Sequence, residues 1–184
     1  MSKVVKKPFV ALRPVPVVLV TCGHCEQANI ITIAWTGILC SSPPQVGIGV
    51  RPSRHSHKLI QETGEFVVNI PNEDLLDEVE YCGFTSGREV DKFEASGLTP
   101  APGSSVQTPI IAECPINIEC RLTHTLPLGS HDLFIGEVVA VQLSQEVLDE
   151  QGRVDNSKLK PVLFSGDEYW GLGSFLGRYG SRRE

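Results

Sequence analysis

The sequence predicts a mainly β fold, a small antiparallel barrel of about six or seven strands with two helices inserted. The first observation behind this is a strict alternation, Ile116, Ile118, Cys120 and Leu122 against Asn117, Glu119, Arg121 and Thr123. That is the two-residue period of a strand. The second is a series of short apolar runs, at 15–21, 29–35, 46–50, 66–70 and 133–143, separated by turn formers. The third is the scarcity of helical pattern, which appears twice only, so a barrel is favoured over a sandwich or a βαβ arrangement. Seventeen Gly and thirteen Pro supply the many turns such a fold needs.

Taken in order, residues 1–14 are punctuated by Lys and Pro and are expected as an extended arm over the surface or a partner subunit. Residues 15–21 read as a buried strand and 29–35 as a second, paired with the first across a loop holding CGHCEQA. Paired prolines cannot continue a ladder, so 39–44 is expected as a turn. Val46, Ile48 and Val50 alternate with Gln45, Gly47 and Gly49 in a third strand, whose glycines leave room for something flat or bulky to approach. Residues 53–63 read as a helix closed by Gly64, and 66–70 as a strand ended by Pro71. Asn72 is the expected cap of a second helix, with Glu73 and Asp74 in its first turn. Residues 82–109 form a long loop with one short helical turn near 91–96, and a loop that long is usually functional or packed on a partner. Strands at 116–122 and 133–143 flank a turn at 126–130. A short run at 161–164 and a Gly- and aromatic-rich tail follow.

At 184 residues the chain is expected as a single domain able to bury its own core. Sixteen basic against twenty-two acidic side chains give a net charge of −6. An acidic chain without a long Lys/Arg run argues against general nucleic-acid or anionic-membrane binding. No segment reaches the ~18 consecutive apolar residues needed to cross a bilayer. Arg13, Pro14 and Pro16 interrupt any signal-peptide core, so a cytoplasmic location is expected. The six cysteines are then expected as reduced, mostly buried thiols.

The segment Arg51-Pro-Ser-Arg-His-Ser56 joins a strand to a helix entry with two guanidiniums, an imidazole and two hydroxyls. Unsatisfied backbone N–H groups at a helix start favour an anion, and these side chains all suit a phosphate. The alternative is that Ser53 merely caps the helix while the arginines are solvated. Cys22-Gly-His-Cys25 invites a redox reading, but a strand follows it rather than the helix that would depress the first thiol's pKa. No second CxxC or HxxxH exists to complete a zinc site. His55 and His57 point to different sides of a helix, so no metal is expected. GLGSFLG has its third glycine one position late for a dinucleotide fingerprint, and neither a P-loop nor a G-x-S-x-G elbow occurs. His131 at a strand mouth either reaches a ligand in a barrel cleft or is an exposed turn residue. Lys92 and Phe164 are open between a site and, respectively, a surface and a core position.

N-I-I-T-I-A-W-x-G, S-S-P-P, V-R-P-S-R-H-S, E-T-G-E-F-V-V-N-I-P, D-K-F and H-D-L-F-I-G-E-V occur together in this order. With these motifs the chain closely resembles the flavin reductase-like, FMN-binding split-barrel family, in particular its flavoredoxin branch, over nearly its whole length. The resemblance implies that Asn29, Thr32, Ala34 and Trp35 lie against the flavin ring, and that Arg51, Ser53, His55 and Ser56 hold the phosphate. It adds Lys92, His131 and Phe164 as further cofactor contacts, with His131 the best single candidate for a catalytic role. It implies FMN rather than FAD, NAD(P)H or a reduced carrier as electron donor, and a homodimer with the flavin near the interface. The long 82–109 loop and the N-terminal arm would then wrap the partner. Activity would be that of an oxidoreductase passing electrons through bound flavin to an acceptor. The alternative is a flavoredoxin-like electron carrier without nicotinamide-dependent turnover, serving a small-molecule or protein redox partner. A CxxC is not part of the family pattern.

Overall fold

The structure is a computed structural model that describes residues 1–24 and 27–180. Cys25, half of the CxxC pair, lies outside the described residues. Residues 1–14 carry no helix or strand and are exposed. The chain then forms β1 (Val15–Pro16), β2 (Val18–Cys22), β3 (Asn29–Ile33), β4 (Thr36–Ser41), β5 (Pro44–Val50), α1 (His55–Thr63) and β6 (Glu65–Ile70). A single 3-10 turn, Glu73–Leu75, leads into α2 (Leu76–Phe84), followed by α3 (Lys92–Ser96), β7 (Pro100–Ala101) and β8 (Ile110–Ile111). The long hairpin β9 (Ile116–Pro127) and β10 (Asp132–Leu143) precedes α4 (Asn156–Leu159), β11 (Leu163–Ser165) and β12 (Glu168–Trp170).

Seven strands make one sheet in the order β3-β2-β6-β9-β10-β5-β4, and every pairing in it is antiparallel. Its two edge strands, β3 and β4, are joined by Ala34 and Trp35 alone. Three peptide steps span at most about 11 Å, so the edges must meet at that end and the sheet must curl. The Gly49 N–H donates to the Trp35 carbonyl at 2.7 Å, extending the β4–β5 ladder into this link. The result is a split antiparallel barrel.

Alternation sorts the side chains. Val18, Val20, Ile31, Ile33, Ile48, Val50, Phe66 and Phe134 fill the interior, with Leu59 and Ile60 of α1 packed against them. Gly136 sits where a Cβ would come within 2.5 Å of the Phe66 ring, so the interior is filled to the backbone there. Val17, Leu19 and Ile30 face outward and meet Val79 and Cys82 of α2 and Phe93 of α3. Gly64 closes α1 in the left-handed conformation, φ 68°, its N–H returning to the Ile60 carbonyl, as the sequence predicts.

Three differences from expectation have physical causes. Residues 36–41 are a strand rather than part of a turn. The turn contracts to Ser42–Pro43, and Pro44 takes the first position of β5, where a missing N–H does little harm. Gly47 and Gly49 admit the chain's own side chains: a Cβ on Gly47 would meet Leu39 at 2.8 Å and one on Gly49 would meet Trp35 at 3.1 Å. The polar face of β9 is covered, since Asn117 and Glu119 are buried. The segment from Leu98 to Cys114 lies over them, on its own barrel. Glu119 accepts from the Ser104, Ser105 and Val106 backbone amides at 2.9, 2.6 and 3.1 Å, from the Ser104 hydroxyl at 2.8 Å and from Gln142 at 2.9 Å. Asn69 accepts from the Ile111 N–H and from Asn117, at 3.1 and 2.8 Å. Much of the long loop therefore serves its own sheet.

Candidate functional site

Two cavities adjoin at the seam of the barrel. The first, about 450 Å³, is enclosed by the start of β3, the 51–56 segment and the end of α2 with the stretch after it. Arg51, Arg54, Arg88 and Lys92 line it without any carboxylate, in a chain that is acidic overall. The second, about 360 Å³, is apolar and aromatic, with Trp35, Phe84, Phe164 and Tyr169 in its wall. Ile31, Arg51, Arg54 and Gly83 line both.

The polar cavity is built on the start of α1. A turn from Arg51 to Arg54, closed by the Arg54 N–H on the Arg51 carbonyl at 2.9 Å, delivers the chain into the helix. The N-cap is Arg54, and no side chain caps the first turn. Ser53 is therefore not the cap, although Arg51 and Arg54 are exposed as the alternative reading has them, and the first-turn amides remain available to an anion. Inside the cavity the Asn29 amide donates to the Ser56 hydroxyl at 2.7 Å. Lys92 is buried, and its ammonium donates to the Ile30 and Cys82 carbonyls, each at 2.7 Å. Burial lowers the Lys92 pKa, and the nearby Arg54 charge adds to the fall. His55 is likewise lowered, first by burial and then by Arg88, Lys58 and Lys92. The surrounding cations thus add to burial in opposing protonation of this imidazole.

In the apolar cavity His131 lies flat against Trp35, ring centroids 5.7 Å apart and planes 9° from parallel. Its pKa is lowered by burial and then by Arg51, so the imidazole is neutral near pH 7. Ser130 Oγ lies 2.9 Å from its Nδ1. His57 points away from His55, as expected, to Asp132 at 2.8 Å. Among the described residues no group of three or more His, Cys, Asp or Glu is placed to hold a metal ion, and no helix is long and apolar enough to cross a membrane.

All the residues expected as flavin contacts line one cavity or the other. Asn29, Arg51, Ser53, His55, Ser56 and Lys92 line the polar one, and Thr32, Ala34, Trp35, Arg51, His131 and Phe164 the apolar one. The division differs in one place. Asn29 belongs with the cationic half rather than with its strand neighbours, because β3 begins there, beside α1. Thr32 lines the apolar cavity, but its hydroxyl already donates to the Val79 carbonyl. Sequence reasoning counted Arg54 among the phosphate-suited side chains but not among the cofactor contacts, and it missed the Thr85-Ser86-Gly87-Arg88 stretch. The hydroxyl, glycine and arginine composition of that stretch was the available signal. Gly87 passes so near Asn29 that a Cβ would overlap its side-chain oxygen. Cys22 is the buried end of β2, its pKa pushed up to about 12 by burial, so it is a core thiol rather than a loop nucleophile.

A split barrel with a two-part cavity at its seam, cationic at one end and aromatic at the other, is the class these features define. The flavin reductase like domain matches residues 11–173, and the chain belongs to that family. It is similar to the flavoredoxin of Desulfovibrio vulgaris (Miyazaki F), with TM-score 0.92, 34% identity and 99% of each chain covered. The flavoredoxin from Methanosarcina acetivorans superposes with TM-score 0.90 at 30% identity, covering 98% of this chain and 97% of that one. The FMN-binding protein from Thermus thermophilus, solved with 1-cyclohex-2-enone bound, gives TM-score 0.81 at 28% identity over 96% of this chain and 99% of that one.

Proposed function

We propose that the chain is an FMN-binding oxidoreductase of the flavin reductase type, taking electrons from NAD(P)H or a reduced carrier and passing them through bound flavin to an acceptor. The observation that carries this reading is the joined pair of cavities, cationic and carboxylate-free at one end, apolar and aromatic at the other. A flavin mononucleotide has matching ends. Arg51, Arg54, Arg88 and Lys92, with Ser53, Ser56 and the first turn of α1, would hold its phosphate. Trp35, Ile31, Phe164 and Tyr169 would wall its ring.

Bound flavin supplies one- and two-electron transfer, and the protein's part is to bind, orient and set the local field. Arg51 and Arg54 line both cavities, so they, rather than Lys92 alone, would hold positive charge toward the ring and favour its reduced anion. His131, neutral and held flat on Trp35, would offer a ring nitrogen for hydrogen bonding at the ring's edge.

The likeness to two flavoredoxins favours a second reading, an electron carrier without nicotinamide-dependent turnover. Apoprotein mixed with FMN should retain flavin absorbance through gel filtration. Anaerobic NADH or NADPH should then bleach it. A flavin that stays oxidised with both sinks the reductase reading and leaves the carrier. We also propose a homodimer, since Phe9, Leu12, Trp170, Phe175 and Leu176 are exposed apolar residues on the arm and tail. Sedimentation at twice 20.1 kDa is the expected result.

A further inference from the structure

The cationic segment from Arg51 to Ser56 is tied at both ends to one residue. Its leading end follows Val50, which pairs with Asp132 across the β5–β10 ladder. Its trailing end enters α1, where His57 reaches back to the Asp132 carboxylate, Nε2 to Oδ2 at 2.8 Å. Residues 51–56 therefore form a loop closed on Asp132. An ionised carboxylate only accepts, so His57 Nε2 carries the shared proton. Both side chains are mostly buried, and the His57 ring stands edge-on to buried Phe134, centroids 5.0 Å apart.

Asp132 also bears on the other half of the site. It follows His131 in the chain, and the His131 carbonyl accepts from the Leu128 N–H at 2.9 Å, closing the turn that presents the imidazole to Trp35. On the cavity side, the residue just before His57 is held in turn, since the Ser56 hydroxyl accepts from Asn29. Neither His57 nor Asp132 lines either cavity. The pair thus joins the cationic half to the aromatic half without touching what would lie in them.

We propose that Asp132 and His57 are positioning residues that preset the spacing between the two ends, so that one ligand reaches both. A ligand anchored at two points draws fully on both anchors only while their spacing is fixed beforehand. A loop released at one end must be ordered on binding, which costs affinity. This rests on the flavin reading above. The pair should then matter to FMN, which has both ends, and not to riboflavin, which has the ring end alone.

Apoprotein is titrated with FMN and with riboflavin in parallel, following flavin fluorescence. In Asp132→Ala and in His57→Leu, FMN should weaken by about tenfold while riboflavin stays within about twofold of the native chain. Asp132→Asn keeps an acceptor for the imidazole and should hold FMN within about threefold of native. Charge alone gives the opposite sign, because deleting a carboxylate near a cationic cavity strengthens the binding of an anion. Unchanged or tighter FMN binding in the Ala and Leu variants, an equal loss for both flavins, or loss of the fold in both variants overturns the proposal while the flavin reading stands. So does an Asn variant as weak as the Ala one, or a native chain that binds FMN no more tightly than riboflavin. A native chain that binds neither flavin removes the flavin reading itself, and the proposal with it.

Discussion

His131 and Trp35 stack at 5.7 Å with their planes 9° apart, although one begins the β9–β10 return and the other joins β3 to β4. The contact pins the barrel's open seam to the mouth of its longest hairpin. Burial and the Arg51 charge both disfavour the imidazolium. His131 should therefore titrate below the ordinary histidine value in an NMR experiment, and Arg51→Ala should raise its midpoint. Because the folded-state value is depressed, the associated stability is present above the unfolded pKa and is lost as pH falls through the folded one. An unchanged midpoint in Arg51→Ala would show that the two side chains do not sense each other.

Lys92 makes a different kind of link. Its ammonium ties the carbonyls of Ile30 in β3 and Cys82 in α2. Lys92→Met keeps the aliphatic volume but leaves both carbonyls without a donor, at a cost of about 1–3 kcal/mol each. Urea unfolding should show a loss of about 2–6 kcal/mol on that basis. Weaker FMN binding should accompany it, since a cation leaves the polar cavity. A loss of affinity with full stability would mean that Lys92 acts on the ligand alone.

Much of this was legible in the sequence because the barrel's signals are local. Alternation in β9, Gly64 at a helix end and the 51–56 segment each follow from neighbouring residues. What stayed hidden depends on contacts across the chain. Glu119 and Asn117 look solvent-facing by period, and only the overlying 98–114 segment turns them into buried anchors. Gly49 advertises a close approach without saying that the visitor is Trp35. Arg54 was read with its helix entry, yet its place between both cavities depends on how α1 meets β3 and α2. Asn29 shifts to the cationic half for the same reason.

Glu119 is the anchor most open to test. Five donors hold its carboxylate, bringing its pKa down to about 2 against the cost of burial. A depressed carboxylate contributes stability at neutral pH that is lost as pH falls from about 4.5 toward about 2. Glu119→Gln turns one acceptor into a donor facing backbone amides. It should cost about 2–4 kcal/mol and flatten the acid limb of the stability profile. An acid limb identical to that of the native chain would place the responsible group elsewhere.

Gly87 offers a steric test of the polar cavity. A methyl group there would overlap the Asn29 side chain, so Gly87→Ala must push Asn29 off the Ser56 hydroxyl or displace the 85–88 stretch. Either movement disturbs the polar cavity, and FMN affinity should fall about tenfold or more, the loss of roughly one charge-assisted hydrogen bond. Native affinity in Gly87→Ala would separate the 85–88 stretch from the ligand.

The thiols give the last prediction. Burial pushes Cys22 and Cys120 up to about 12 and Cys82 up to about 11, and it also raises Cys114. Attack requires the thiolate, and at pH 8 a group titrating near 11 or 12 holds on the order of a thousandth or less of it. Iodoacetamide at that pH should therefore spare these four in the folded chain and, among the described thiols, reach half-buried Cys40 first, as peptide mapping would show. Cys22→Ala should leave flavin reduction unchanged while lowering stability by about 1 kcal/mol for the small cavity it leaves among Val20, Ile31 and Phe66. Rapid labelling of Cys22 in the native state would instead return the Cys22-Gly-His-Cys25 pair to the chemistry.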